Sequence, residues 1–123
     1  MARIMVVDDD ANTCAVLKDL FSSKGHGADA AFDPSHLATL LKKFRPDLLV
    51  MDMQMPGGGG PAAKKVVDAD PALARVPIVF FSSMPIERMK EWFPEEPRFR
   101  YVRKGSPMED ILKAVRELLG PKA

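Results

Sequence analysis

Acidic side chains follow two apolar segments of the sequence, at positions where they could act together. Residues 4–7 are apolar and lead directly into Asp8, Asp9 and Asp10, while Asp52 ends the segment DLLVMD. Carboxylates that are crowded and partly buried repel one another, so such a grouping needs a cation. A hard divalent ion such as Mg²⁺ prefers carboxylate oxygens and relieves the repulsion. The acids therefore predict a metal site to which Asp52 contributes.

Hydroxyl and ammonium groups stand at the ends of two further apolar segments. The segment VPIVFFSS ends in Ser82 and Ser83, and Lys104 lies just after FRYV. These groups, like the acids, fall at the last residues of apolar segments, where functional groups of a parallel sheet collect. The site requires that all of these segments end at one edge of the molecule.

The elements that would position these groups alternate along the chain. Short apolar runs predict strands at residues 4–7, 28–32, 47–52, 76–83 and 99–102. Apolar residues at helical spacing predict helices at residues 13–21, 37–44, 61–69, 86–93 and 111–119. Strict alternation predicts an α/β domain, a doubly wound five-stranded parallel sheet with helices on both faces. Functional groups in such folds lie beyond the carboxyl ends of the strands, where the acids, serines and lysine fall.

Composition limits the other possibilities. The chain has 123 residues and a net charge of +1, so we expect one domain over residues 1–123 and no charge-driven binding to nucleic acid. No apolar run approaches the length of a membrane span, and no membrane association is expected. Cys14 is the only cysteine, which precludes an internal disulfide and favours a cytoplasmic location.

Four motifs in this order resemble those of response-regulator receiver domains, the phosphoacceptor modules of two-component signalling. They are VVDDD, DMQMP, FFSS and YVRKG. The resemblance covers the whole chain and implies a flavodoxin-like sheet with strand order 2-1-3-4-5. It also implies a stand-alone module that acts through protein–protein contacts. Its expected partners are a histidine kinase or phosphotransfer protein and a downstream protein bound at the face of the fourth helix, fifth strand and fifth helix.

The resemblance implies a role for each matching residue. Asp52 would accept the phosphoryl group, and phosphotransfer to it and hydrolysis from it would be self-catalysed, without turnover of a separate substrate. Mg²⁺ would be bound by Asp52, directly by Asp9, chiefly through water by Asp8, and by the backbone carbonyl of Gln54.

The remaining matches concern signal transmission and lifetime. Ser82 would hydrogen-bond a phosphoryl oxygen and Lys104 would pair with the phosphoryl group. Tyr101 matches the aromatic switch position, although an ordinary edge aromatic fits equally well. Gln54 and Met84 would flank the path of an attacking water. Because Gln54 can orient water and the apolar Met84 cannot, we expect an intermediate rate of phosphoryl loss.

Several features depart from the family pattern or have a structural interpretation. Glycines at positions 58 and 59 replace side chains that normally pack or cap the third helix, so this helix is expected to start late or be mobile. Lys104 is followed by Gly105 rather than by proline, which leaves the isomer of that peptide open. Asp10 is expected to cap the first helix, and Trp92 to be a core residue.

Two other functions remain as alternatives. A degenerate receiver could serve as a docking module that works without phosphorylation. Less favoured is an aspartyl-phosphate hydrolase of the haloacid-dehalogenase type, which also uses strand-end acids, a hydroxyl and a lysine. Such enzymes need a general acid two residues after the nucleophile, and that position is Gln54.

Overall fold

A computed structural model describes residues 1–121 and contains five strands, each followed by a helix. The strands are β1 (Arg3–Val7), β2 (Gly27–Ala31), β3 (Leu48–Met51), β4 (Ile78–Ser82) and β5 (Phe99–Arg103). The helices are α1 (Ala11–Ser23), α2 (Pro34–Leu40), α3 (Gly59–Asp68), α4 (Ile86–Trp92) and α5 (Met108–Leu119). A short 3₁₀ helix at Pro71–Leu73, which the sequence did not predict, precedes β4.

All strand pairs are parallel, and the sheet order is β2-β1-β3-β4-β5. This confirms the predicted fold class and strand order. Val7 pairs with both Ala31 and Met51, so β1 and β3 end level with each other. The backbone N–H of Asp52 donates to the backbone carbonyl of Val7 at 2.8 Å. The hydrogen-bonded ladder thus reaches the phosphoacceptor candidate itself.

Alternate residues of each strand enter two separate cores, one on each face of the sheet. Met5, Leu49 and Ile78 pack on the face covered by α2, α3 and α4. Ile4 and Val50 pack on the opposite face with residues of α1 and α5. Because both faces are covered, the central strands β1, β3 and β4 are apolar except at their ends, whereas Asp29 and Arg100 lie inside the edge strands β2 and β5.

Helix boundaries follow from caps and prolines. Asp10 caps α1 as predicted, and its carboxylate accepts from the N–H groups of Asn12 and Thr13. The prediction that the second helix continues to residue 44 is wrong, because α2 ends at Leu40 and the chain then turns. Pro46 follows closely and disfavours helical conformation in the residue before it. Phe44 nonetheless packs against the core.

Two further expectations from the sequence are corrected. The third helix does not start late: α3 begins at Gly59, because the preceding glycines adopt a tight turn with φ of +81° at Gly57 and +104° at Gly58. Trp92 is not a core residue, since it is 43% exposed at the end of α4, whereas Phe93 packs against the core. No peptide bond within residues 1–121 is cis, so Lys104–Gly105 is trans.

No helix in residues 1–121 could cross a membrane. The longest, α1, has 13 residues, whereas a span needs about 20 apolar residues.

Candidate functional site

Three carboxylates meet at the carboxyl rim of the sheet, the edge formed by the carboxyl ends of β1, β3, β4 and β5. One oxygen each from Asp8, Asp9 and Asp52 lies within 4.8 Å of the others. Asp8 and Asp52 are only 2% and 5% exposed, while Asp9 is exposed. This cluster is the grouping predicted from the sequence. It offers hard oxygen donors, and its open side at Asp9 leaves room for water ligands, so it fits Mg²⁺.

Backbone hydrogen bonds orient the two buried carboxylates. Asp8 follows β1, and its Oδ1 accepts from the N–H of Asp10 at 2.9 Å. Asp52 follows β3, and its Oδ1 accepts from the N–H of Gln54 at 3.3 Å. The thiol of Cys14 donates to the backbone carbonyl of Asp8 at 3.3 Å. These contacts leave the Oδ2 atoms of both acids available to other partners.

Lys104 lies between the two buried acids. Its Nζ is 2.8 Å from Asp8 Oδ2 and 3.3 Å from Asp52 Oδ2. Its backbone N–H donates to the carbonyl of Ser82 at 2.8 Å, so the pairing of β4 with β5 places it. Three carboxylates and one ammonium group leave two negative charges uncompensated among these four side chains. A divalent cation would neutralise them.

The protonation equilibria reflect this crowding. Burial raises the pKa of Asp8, and the negative charge of Asp52 adds to the effect, while hydrogen bonds from Lys104 and the Asp10 N–H act in the opposite direction. Burial by itself would lower the pKa of Lys104. The hydrogen bond to Asp8 and the charges of Asp52 and Asp8 together outweigh burial, so that pKa is raised. Lys104 therefore remains charged at neutral pH.

Ser82 ends β4 at the carboxyl rim, and Met84 follows in the loop after it. The side chain of Ser82 is fully buried, and its Oγ accepts from the N–H of Met84 at 3.3 Å. Met84 is itself buried and belongs to the core under α2, α3 and α4. The hydroxyl proton of Ser82 remains available to an oxygen arriving at the site.

Tyr101 lies away from the acids, between β5 and α4. Its hydroxyl donates to the carbonyl of Phe93 at 2.6 Å, and its ring stacks on Phe80 with centroids 5.6 Å apart. Lys90 Nζ lies 5.6 Å from the ring centroid. Tyr101 therefore connects the end of α4 to the strand that leads to Lys104, and this connection is not visible in the sequence.

Cys14 is a contributor that sequence reasoning missed. It is buried in α1, and its thiol supports the loop after β1 through a hydrogen bond to the backbone carbonyl of Asp8. Burial raises its pKa to about 11, with the charge of Asp8 adding to the effect. The thiol is therefore protonated and structural. A spacing of six residues from Asp8 carries no signal that predicts this contact.

The fold and the site together define a doubly wound α/β domain with an acidic pocket at the carboxyl rim of its sheet. The family description "Response regulator receiver domain" matches residues 4–116, and the chain belongs to this family. It is thus a receiver domain of two-component signalling, with a buried aspartate cluster compatible with a phosphorylation site.

Individual relatives agree with this assignment. The protein PilH of Pseudomonas aeruginosa is 27% identical over 119 residues, which are 97% of this chain and 98% of PilH. The protein Rrf1 of Nitratidesulfovibrio vulgaris is 33% identical over 78 residues, or 63% of this chain and 56% of Rrf1. The second alignment thus leaves much of Rrf1 unmatched.

Solved structures share the fold at lower identity. The chemotaxis protein CheY4 of Vibrio cholerae superposes with a TM-score of 0.84 at 20% identity, over 97% of this chain and 99% of CheY4. The receiver domain of the sensor histidine kinase PA1611 of Pseudomonas aeruginosa gives 0.80 at 18% identity, over 95% and 96% of the two chains, and holds a magnesium ion in its active-site cleft.

Proposed function

We propose that this chain is a phosphoacceptor signalling module that receives a phosphoryl group on Asp52 in the presence of Mg²⁺. The observation that carries the proposal is the convergence of Asp8, Asp9 and Asp52 within 4.8 Å, with Lys104 bridging two of them. Energetically, such a cluster is unfavourable without a cation. When a carboxylate attacks phosphorus, the negative charges of the carboxylate and of the phosphoryl group must be neutralised. Lys104 and a bound cation would do this together.

The chemical step is a transfer between two nucleophiles. A carboxylate oxygen of Asp52 forms a bond to phosphorus while the bond from phosphorus to the donor's histidine nitrogen breaks. The nitrogen keeps the electron pair, and Asp52 becomes a mixed anhydride. Asp8, Asp9, Asp52 and the Gln54 carbonyl would hold Mg²⁺. The ion supplies charge neutralisation between the attacking carboxylate and the phosphoryl oxygens.

The chain's own residues then respond to the new charge. Lys104 exchanges its contact with Asp52 for one with a phosphoryl oxygen, and the Ser82 hydroxyl donates to another. Both groups are coupled through backbone, because the Lys104 N–H already donates to the Ser82 carbonyl. A movement of this pair is transmitted along β5 towards Tyr101 and the end of α4.

The partners follow from this chemistry. A histidine kinase or a phosphotransfer protein would supply the phosphoryl group, and a downstream protein would bind the face of α4, β5 and α5. Trp92 is exposed at the edge of this face, which supports a protein contact there. The unpaired, buried thiol of Cys14 fits a reducing compartment such as the cytoplasm.

Intact mass spectrometry after incubation with acetyl phosphate and Mg²⁺ tests the proposal. We expect one added phosphoryl group on the wild type and none on Asp52→Asn. The control variant Asp68→Asn, changed at an exposed ion pair on α3, should be modified like the wild type. A folded wild type without any adduct would instead support a docking module that works without phosphorylation.

The hydrolase alternative makes a different prediction. A haloacid-dehalogenase-type enzyme would release phosphate from a phosphomonoester at a steady rate. Because Gln54 cannot act as a general acid, we expect no turnover of p-nitrophenyl phosphate by the wild type. Sustained release that disappears in Asp52→Asn would overturn the assignment of a signalling module.

The lifetime of the phosphorylated state depends on the residues beside the path of water. Gln54 is exposed and can orient a water molecule through its amide, whereas Met84 is buried and apolar. We therefore expect intermediate rather than rapid phosphoryl loss. Met84→Glu should change the decay rate of the adduct, followed by mass spectrometry, and so should Met84→Ala. Decay at the wild-type rate in both folded variants would contradict this role.

A further inference from the structure

The first turn of α3 lies directly on the backbone of the loop that carries Asp52. The N–H of Gly60 donates to the carbonyl of Met53 at 2.9 Å. A Cβ atom built on Gly60 would lie 3.1 Å from Met53 Cα and 3.3 Å from the Asp52 carbonyl oxygen. The two tightest contacts are therefore with backbone atoms, while Met53 Sδ, at 3.5 Å, is at an ordinary van der Waals distance.

Gly59 makes the approach closer still. A Cβ atom at Gly59 would lie 2.5 Å from the Met53 carbonyl oxygen and 3.8 Å from the Cα of Gln54. The first distance is shorter than the normal contact distance between a carbon and an oxygen atom, so one of the two atoms would have to move. Since the obstacle is a backbone carbonyl, any side chain at position 59 must move the loop or the helix.

The Met53–Gln54 peptide, which a side chain at position 59 would displace, connects two parts of the acidic site. The Met53–Gln54 peptide supplies the N–H that donates to Asp52 Oδ1 at 3.3 Å. Met53 is held on its other side, since its side chain is almost fully buried. The strain of an added methyl group at position 59 would therefore be taken up by the peptide and by the Gln54 carbonyl that follows it.

We propose that Gly59 is a positioning residue for the Mg²⁺ and phosphoryl site, because it lets α3 support the Met53–Gln54 peptide in the conformation that directs the Gln54 carbonyl to the ion. The proposal rests on the proposed function, in which that carbonyl is a ligand. It assigns a purpose to glycines from which the sequence had predicted a third helix that starts late or is mobile. In this interpretation the glycines of the PGGGGP sequence permit close contact between the first turn of α3 and the loop that carries Asp52.

Gly57 provides a matched control within the same loop. Its φ of +81° also favours glycine, as does the +62° of Gly59. A Cβ atom at Gly57 would meet only the Cδ of Pro34, at 3.6 Å, an ordinary contact. Gly57→Ala and Gly59→Ala therefore share the backbone penalty, but only the second presses on the peptide next to Asp52.

The test is a Mg²⁺ titration followed by backbone amide NMR, with urea unfolding of each variant to confirm folding. Removing support behind a metal ligand typically costs about 10–100-fold in affinity. We expect at least about a 10-fold loss for Gly59→Ala and less than about a twofold loss for Gly57→Ala. The amide shift of Gln54 in the metal-free protein should also move in Gly59→Ala alone. Equal affinities in the two folded variants would overturn the proposal.

Gly60→Ala keeps the test decisive if Gly59→Ala does not fold. Position 60 has no positive φ, so alanine there meets no backbone penalty and has tight contacts of 3.1 Å with Met53 Cα and 3.3 Å with the Asp52 carbonyl oxygen, besides an ordinary one of 3.5 Å with Met53 Sδ. A loss of Mg²⁺ affinity with a moved Gln54 amide supports the proposal, and wild-type behaviour overturns it. If the wild type itself binds no Mg²⁺, the proposed function fails; if it binds and the variants match it, only the role of Gly59 fails.

Discussion

Charged side chains are arranged differently at the two rims of the sheet. The amino rim is the edge opposite the carboxyl rim, where the amino ends of the strands lie. At the carboxyl rim, Asp8 and Asp52 are buried and share Lys104, and Asp9 beside them is exposed. At the amino rim, Arg45 pairs with Asp70 at 2.7 Å while both remain partly exposed. The charges of Arg45 and Asp70 balance each other and are partly solvated, whereas two of the three carboxylates at the carboxyl rim are buried.

Backbone contacts strengthen the contrast. At the amino rim, the Asp47 carboxylate accepts from the Arg3 N–H at 2.8 Å, and Arg98 donates to the Ala74 carbonyl at 2.8 Å. These side chains terminate strands and turns. The carboxyl-rim acids also accept backbone hydrogen bonds, yet their charge exceeds what those bonds and Lys104 compensate. The proposed function gives a reason for this difference, because a Mg²⁺ ion and a phosphoryl group would compensate the charges of the carboxyl rim.

The largest expected effect concerns the metal. Asp8→Asn removes one buried negative charge from the cluster while keeping the side-chain shape. We expect Mg²⁺ affinity to fall by about 10–100-fold, in line with the loss of a group that supports a metal site. Isothermal titration calorimetry measures it. The matched variant Asp70→Asn, at the opposite rim, should bind within about a factor of two of the wild type, and a similar loss in both variants would contradict the contrast.

A smaller effect is expected when the carboxyl rim loses its lysine. Lys104→Met leaves Asp8 and Asp52 without their shared cation, and we expect a loss of about 1–2 kcal/mol in the free energy of unfolding without Mg²⁺, less than for a fully buried pair because Lys104 is partly exposed. Mg²⁺ should narrow the difference from the wild type, because the ion replaces the missing charge. Urea unfolding with and without Mg²⁺ measures both.

Arg45→Met is the corresponding variant at the amino rim. A solvated ion pair contributes little to stability, and its removal should cost the same small amount with and without Mg²⁺. If Lys104→Met lost stability to an equal degree in both conditions, the lysine would not be substituting for a metal charge.

The smallest expected effect is a pH dependence at the amino rim. His26 is buried, its Nδ1 accepts from the Ala2 N–H at 3.0 Å, and burial lowers its pKa below the ordinary 6.5. The unfolded chain therefore binds this proton more readily, so stability is lost as pH falls below about 6.5. His26→Asn preserves an acceptor without titrating. Between pH 7.5 and 5 it should lose less stability than the wild type in urea unfolding, and equal losses would contradict this origin.

Much of the architecture was predictable from local patterns. The alternation of apolar runs with helical periodicities predicted every strand and α-helix, and the β-strand ends fell within one or two residues of their predicted positions. The short 3₁₀ helix at Pro71–Leu73 had no such pattern. The end of α2 was misjudged because an apolar residue, Phe44, continues the helical spacing although the backbone has already turned.

The sequence also placed the acids, Ser82 and Lys104 at one rim, because in a parallel sheet all strands end on the same side. That inference needs only the strand boundaries and the alternation. It does not extend to distances, and it could not show that Lys104 Nζ approaches Asp8 more closely than Asp52.

By itself, then, the sequence determined the order of elements, the two-sided core and the set of side chains at the functional rim, since these depend on periodicity along the chain. Only the tertiary structure decided that Trp92 faces solvent, that Tyr101 bonds to the end of α4, and that Gly59 lies against the Met53 carbonyl. Each of these depends on how separate segments pack, and the closest approach of two backbones leaves no periodic trace in either segment.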